Sequence, residues 1–319
     1  MQTKCPITTI LWAIDPLAKD RSIQAAVPAS IKALTRSQDV KVIPVSVILR
    51  DQLPYLAGAK TTESDFSSAI EKDINEWIRE FSLRSVSPFK VHLEPEFSVK
   101  SAVKRVIDLG EQNQCDFIIC TTHAKQRKKQ SDLGTFCETL FLLSPGSLFL
   151  VPPQAKIPEN FTNIFFPTDI STASLSLLER ITPVISFLNA HLTIFHKFLN
   201  VCKETIELPL GMDVRSRYTN QRQMDETFVL QQIAAKIKEE HISVDLIIDT
   251  LNSEYIAKSI IERTKFLKSG FIAMASHSEP VSGSLPGSVT RQVVRNTELP
   301  IWILHERKTK ETVHGIERT

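Results

Sequence analysis

One offset constrains this chain more than any other feature: residues 154 positions apart repeat one another in type and in local pattern. Asp15 and Asp169 stand at that spacing, and so do His123 and His277. Ala102, Val103, Val106 and Ile107 precede Ile256, Ala257, Ile260 and Ile261 by the same 154 residues, so a whole helix face is duplicated. Gly134-Thr135 and Gly287-Ser288 are 153 apart, one residue having been lost in the intervening loop. Two copies of one domain follow. The 319-residue chain has room for two domains of about 100–200 residues, each able to bury its own core.

The sharper copy of the repeated unit is the stretch 270–304. Its apolar run 271–275 reads as a short buried strand, followed by a polar loop. Pro286-Gly287-Ser288-Val289 then opens an amphipathic helix, which Glu298-Leu299-Pro300 ends before a last strand at 301–304. Free backbone N–H groups at such a helix start suit an anion such as a phosphate. The plainer reading is that Ser288 caps the helix and Gly287 turns the chain. The stretch 116–151 has the same order of strand, loop, Gly-Thr, helix and strand.

Between these stretches the chain alternates strictly. In the first half, strands are expected at 8–14, 40–49, 89–94, 117–120 and 147–151. Helices carry the faces Ile23, Ala26, Val27, Ile31, Leu34, then Phe66, Ile70, Ile74, Trp77, Ile78, Phe81, then 99–113, then from Gly134. Pro28 predicts a kink or a late start in the first of these, and Pro183 an interruption of its counterpart. The second half repeats the pattern, with strands at 163–168, 192–196, 243–248, 271–275 and 301–304 and a polar insertion over about 200–222. The boundaries expected are one domain over 1–153, a short linker (PPQAKIPEN), a second domain over 160–308 and a polar, disordered tail over 309–319. Such alternation makes parallel sheets covered on both faces, a doubly wound fold in each half. Any ligand site then lies at the carboxyl ends of the first and fourth strands of each half.

Composition removes several function classes. A net charge of +2 gives no reason to expect a nucleic-acid or membrane-surface binder. Five scattered cysteines without CxxC spacing argue for a reducing, cytoplasmic compartment and against a disulfide framework or zinc site. No apolar run approaches the roughly 20 residues of a membrane span, and MQTKCPITT lacks a signal-peptide core. Only nine glycines are present, where usage of about 7% would give more than twice as many, so glycine-rich phosphate cradles have little material.

With these parts in place the sequence resembles a tandem universal stress protein (UspA-like family). The residues that carry the resemblance are Asp15 in ILWAIDPLAKDRS, Asp169 in IFFPTDISTAS, the segment HLTIFHKF and the closing stretches, of which GSVTRQVVRNTELPIWIL is the most family-like. The resemblance implies two doubly wound, five-stranded parallel sheets of the adenine nucleotide alpha hydrolase-like, Rossmann-like class. It also implies that the fifth strands of the two copies (147–151 and 301–304) pair edge to edge inside one chain. ATP-binding members read Gly-x2-Gly-x9-Gly-Ser/Thr in the phosphate loop, and their first-strand Asp contacts the nucleotide. Here the first half has Thr121-x2-Ala124-x9-Gly134-Thr135, keeping the spacing without the first two glycines. The second half has Ala275-x2-Ser278-x8-Gly287-Ser288, one residue shorter, with Gly283 inside the loop.

ATP or another adenine nucleotide is accordingly expected, if at all, in the second half, through Asp169, Ser276, His277, Gly283, Gly287, Ser288 and Val289. Asp15, Gly134 and Thr135 form the weaker candidate set of the first half. Asp15 and Asp169 have an alternative role as caps of the following helices. His123 and His277 lie on the rim, where an imidazole is usually just solvated. Lys125, Arg127, Lys128 and Lys129 either steer an anion or form a charged exposed loop. Cys120 and Cys137 read as packed small hydrophobes rather than redox sensors. No Gly-x-Ser-x-Gly elbow, Walker loop, HExxH or paired metal-ligand motif is present, which disfavours an enzyme. The function expected is a stress-response or regulatory binding module with weak nucleotide sites. An ATP switch with slow hydrolysis and a nucleotide-free scaffold for a protein partner are the alternatives. Strand pairing satisfied within one chain predicts a monomer rather than a homodimer, and light scattering at micromolar concentration checks it.

Overall fold

The computed structural model describes residues 4–18, 20–50, 63–96, 98–122, 133–198, 212–250, 255–267, 270–276 and 287–305; over 212–219 it describes helix backbone alone. The first half runs β1 (Thr9–Ala13), α1 (Ala26–Thr35), β2 (Lys41–Leu49), α2 (Glu63–Glu80), β3 (Lys90–Glu94), α3 (Val99–Gln112), β4 (Phe117–Thr121), α4 (Thr135–Leu143) and β5 (Leu148–Val151). The second half repeats the order with β6 (Asn163–Pro167), α5 (Thr172–Leu188), β7 (His191–Lys197), α6 (Met212–Glu239), β8 (Val244–Asp249), α7 (Ile256–Thr264), β9 (Gly270–Ala275), α8 (Ser288–Asn296) and β10 (Ile301–Leu304). The 309–319 tail lies outside the described residues.

The strands form one sheet in the order β3-β2-β1-β4-β5-β10-β9-β6-β7-β8. Each half therefore keeps the same internal order, and every neighbouring pair is parallel except one. The exception is the junction, where β5 and β10 run antiparallel with Phe149 opposite Trp302. This is the edge-to-edge pairing expected from the sequence. The two five-stranded units merge into a ten-stranded sheet, and two apolar edges are removed from solvent.

The sheet is covered on both faces because its strands are apolar at odd and even positions alike. In β1, Ile10 and Trp12 enter a core with residues of α1, α2, α5 and α6, whereas Leu11 and Ala13 enter the opposite core with α3, α4, α7 and α8. At the junction Phe117, Phe149, Phe271 and Trp302 form an aromatic cluster. Phe117 lies 5.2 Å from Trp302 and Phe149 lies 5.5 Å from Phe271, centroid to centroid and close to edge-on. Such pairs contribute about 0.5–1.5 kcal/mol each beyond their buried area. The two contacts exchange under the repeat: Phe117 and Phe271 are 154 apart, Phe149 and Trp302 153. On the opposite face Arg295 of α8 pairs with Glu138 of α4. Arg36, just past α1, donates to the Phe187 carbonyl at the end of α5 (3.0 Å).

Three local expectations are refined. Helix α1 does start late, so Pro28 is its third residue, where an N–H has no helical acceptor in any case. Pro183, by contrast, does not end its helix: α5 continues to Leu188. Burial of Ile181, Val184, Ile185 and Leu188 around the proline offsets the lost hydrogen bond. The polar insertion is shorter than expected, because α6 already begins at Met212. Its exposed turns carry i,i+4 pairs, Gln221–Asp225 and Arg222–Glu226, in place of an apolar stripe.

Gly270 opens β9 directly opposite Asn163 of β6. A Cβ there would sit 2.5 Å from the Asn163 carbonyl oxygen, a backbone atom that cannot rotate away. Gly270→Ala is expected to destabilise the chain by about 1–3 kcal/mol, as overpacking does, which chemical denaturation will measure.

Candidate functional site

The first and fourth strands of each half end beside one another, and the helices that follow them leave in opposite directions, opening a crevice. Both first-strand aspartates stand at that crevice. Asp15 Oδ1 accepts from Leu17 N (3.0 Å), and Asp169 Oδ1 accepts from Ser171 N (3.1 Å) and Ser171 Oγ (2.7 Å). Each carboxylate turns the chain, and neither caps the following helix. The caps are Asp20 for a 3-10 turn before α1 and Ser171 for α5. Turning through Ile170 requires a positive φ of 64°. The buried Gln24 side chain holds both the N–H and the carbonyl of Asp15, at 3.0 and 2.8 Å.

The Gly-Ser/Thr pairs are matched just as closely. Gly134 N donates to Thr122 O and Gly287 N to Ser276 O, both at 2.9 Å. Gly134 and Gly287 are the N-caps of α4 and α8, with φ of −62° and −55°. Neither position needs the positive φ that favours glycine, and a Cβ on Gly287 would meet nothing nearer than 3.5 Å. Thr135 and Ser288 are first helical residues and not caps, so the capping role considered for Ser288 falls to Gly287. The N–H groups of residues 288–290 have no intrahelical acceptor and point out of the helix start. His123, His277 and Gly283, like the cationic run from Lys125 to Lys129, lie outside the described residues.

In the second half the crevice is a cleft of about 810 Å³, counting its open mouth. Asp169 and Val289, both expected at the site, line it together with Thr290 of the same helix start. Ser276 is buried beneath, donating its N–H to Leu304 O and accepting from Gly287. Apolar walls come from Phe195, Ile256, Ile260, Met274 and Ala275. The cleft also brings in four residues that were not on the expected list: His196, Lys197, Arg222 and Glu226. His196 Nδ1 meets the Thr168 carbonyl at 2.9 Å and Nε2 meets Glu226 Oε2 at 3.1 Å. The ring thus bridges the end of β6 and the α6 carboxylate. Arg222 Nε donates to the other oxygen of the same carboxylate at 2.7 Å. Lys197 Nζ donates to Asp249 Oδ2 and Ser259 Oγ, each at 3.0 Å, with its side chain 2% exposed. A His-Lys pair closing an otherwise apolar strand was the sequence signal for this cluster.

No family model matches this sequence, and no curated protein matches it. Solved structures do match over the full length. A universal stress protein from Archaeoglobus fulgidus superposes with a TM-score of 0.62 at 17% identity, covering 94% of this chain and 98% of its own. A protein of unknown function from Pseudomonas aeruginosa PAO1 superposes with a TM-score of 0.61 at 15% identity, covering 95% and 94%. The chain has the fold of the universal stress proteins. Among the described residues no cluster of side chains suits a metal ion, and no helix is long and apolar enough to cross a membrane.

The halves differ at the floor of the crevice. By strand register and helix repeat, Lys197, Asp249 and Ser259 correspond to Val47, His92 and Arg105. Burial, then the Arg105 charge, holds the His92 pKa below its ordinary value. Beside the first-half crevice, Cys120 and Cys137 are buried thiols. Contact with Cys120, followed by burial, pushes the Cys137 thiol well up, so it stays protonated and unreactive at neutral pH. In the second half, Lys197→Ala would strand Asp249 at 5% side-chain exposure without its cation. That variant is expected to lose about 3–5 kcal/mol of stability, as removal of one member of a buried pair does, and thermal or urea unfolding checks it.

Proposed function

We propose that this chain is a regulatory, stress-response binding module of the universal-stress-protein type, built from two domains (1–153 and 160–308) and working in the cytoplasm. Its second-half cleft takes a ligand of the adenine-nucleotide class, held weakly, and the first half serves as the structural partner. The observation that carries this reading is the convergence of Asp169 and the α8 N-terminus on one apolar-walled cleft. The described cysteines are free thiols, which suits a reducing compartment. The output is occupancy-dependent contact with a protein partner rather than turnover.

Mass spectrometry of ligand released by gentle denaturation tests the reading directly. Calorimetric titration with an adenine nucleotide then separates the halves. Gly287 has backbone angles that any residue adopts, so Gly287→Val keeps the helix start while its branched side chain covers the exposed N–H groups. Binding is expected to fall at least about tenfold, or about 1.4 kcal/mol, in Gly287→Val and to stay nearly unchanged in Gly134→Val. Loss in Gly134→Val with retention in Gly287→Val would place the ligand in the wrong half for this proposal.

A further inference from the structure

The described cations of the second-half cleft are already matched by carboxylates. Glu226 takes both Arg222 and His196, one on each oxygen. Lys197 lies at the floor against Asp249 and Ser259. At the rim stands Asp169, an exposed carboxylate whose Oδ1 is engaged by Ser171. The stretch 270–290, which contains β9 and the start of α8, has no Lys or Arg and one Glu, whereas the corresponding stretch of the first half carries Lys125, Arg127, Lys128 and Lys129. A phosphate chain entering this cleft brings several negative charges toward Asp169 and Glu226 and meets two cations, Arg222 and Lys197, that Glu226 and Asp249 already neutralise.

What the cleft offers instead is a set of neutral contacts. Phe195, Ile256, Ile260, Met274, Ala275 and Val289 supply apolar surface for a flat ring. Asp169 accepts hydroxyl or amino protons, and the first-turn N–H groups of α8 donate to a ring nitrogen, carbonyl or hydroxyl. We infer that the cleft selects a nucleoside, a flat ring carrying hydroxyls and no phosphate chain, over a nucleoside polyphosphate. This rests on assigning the cleft to ligands of the adenine-nucleotide class and names the member of that class it takes.

Titration of the full chain with adenosine, AMP and ATP, without added metal, tests the inference. Affinity is expected to fall from adenosine to ATP by about tenfold or more. In Glu226→Gln, Arg222 and His196 lose their carboxylate, and the preference for adenosine over ATP is expected to shrink by about fivefold. Arg222→Gln, a change on a half-exposed helix face, is expected to widen it. A purely structural role for either residue would weaken all three ligands alike and leave the ratio unmoved, which overturns the charge argument. Binding of ATP about tenfold tighter than adenosine overturns this inference and leaves the ligand class standing. No binding of any of the three to the folded chain overturns both.

Discussion

The antiparallel contact between β5 and β10 is the constraint on which the rest of the molecule depends. Each half alone would end in a short apolar strand, LFLV or IWIL, with an unpaired row of backbone groups at its open edge. Pairing the two edges satisfies both rows at once and brings together four aromatic rings in two exchanged contacts. The approximate two-fold relation this creates places equivalent helices of the two halves against one another. The Glu138–Arg295 pair on one face and the Arg36–Phe187 contact on the other both cross from half to half.

From that frame the crevice follows without further specification. β6 lies between β7 and β9, so the chain leaves its carboxyl end toward one face of the sheet and leaves β9 toward the other. The connection from β6 must turn sharply away, and Asp169 with Ser171 makes that turn. The connection from β9 must return to start α8, and the Gly287–Ser276 bond fixes where the helix begins. The same two devices hold in the first half at Asp15 and Gly134. They define a place for a ligand but not its chemistry. In the second half Phe195, His196 and Lys197 enter it from β7.

There the repeat has diverged. Val47, His92 and Arg105 in one half and Lys197, Asp249 and Ser259 in the other occupy matching places in matching backbones. One half places an imidazole held neutral and a guanidinium near a hydrophobic residue, and the other closes a buried ion pair with a hydroxyl. A buried pair of this kind adds little net stability over an apolar filling, yet it fixes orientation and cannot be half removed. The two crevices therefore share a frame and differ in electrostatics.

The sequence by itself determined the architecture, because that information is local and periodic. The 154-residue offset, the alternation of strands and helices, the apolar runs of β4, β5, β9 and β10 and the Gly-Ser/Thr helix starts are all readable along the chain, and the structure realises each of them. Much of the site frame was legible for the same reason: Asp15, Asp169, Gly134 and Gly287 sit at element boundaries, which the change from apolar run to polar loop to helix face marks along the chain. Pro183 within α5 and the early start of α6 were not legible, since burial and side-chain pairs overrode the local preference there. Only the tertiary structure decided what faces the cleft. His196 and Glu226 are 30 residues apart, Lys197 and Asp249 52, and Lys197 and Ser259 62. No periodicity links such positions. They meet because parallel strands joined by helical crossovers bring distant residues to one end of a sheet, and a charge buried there must find its partner across that distance.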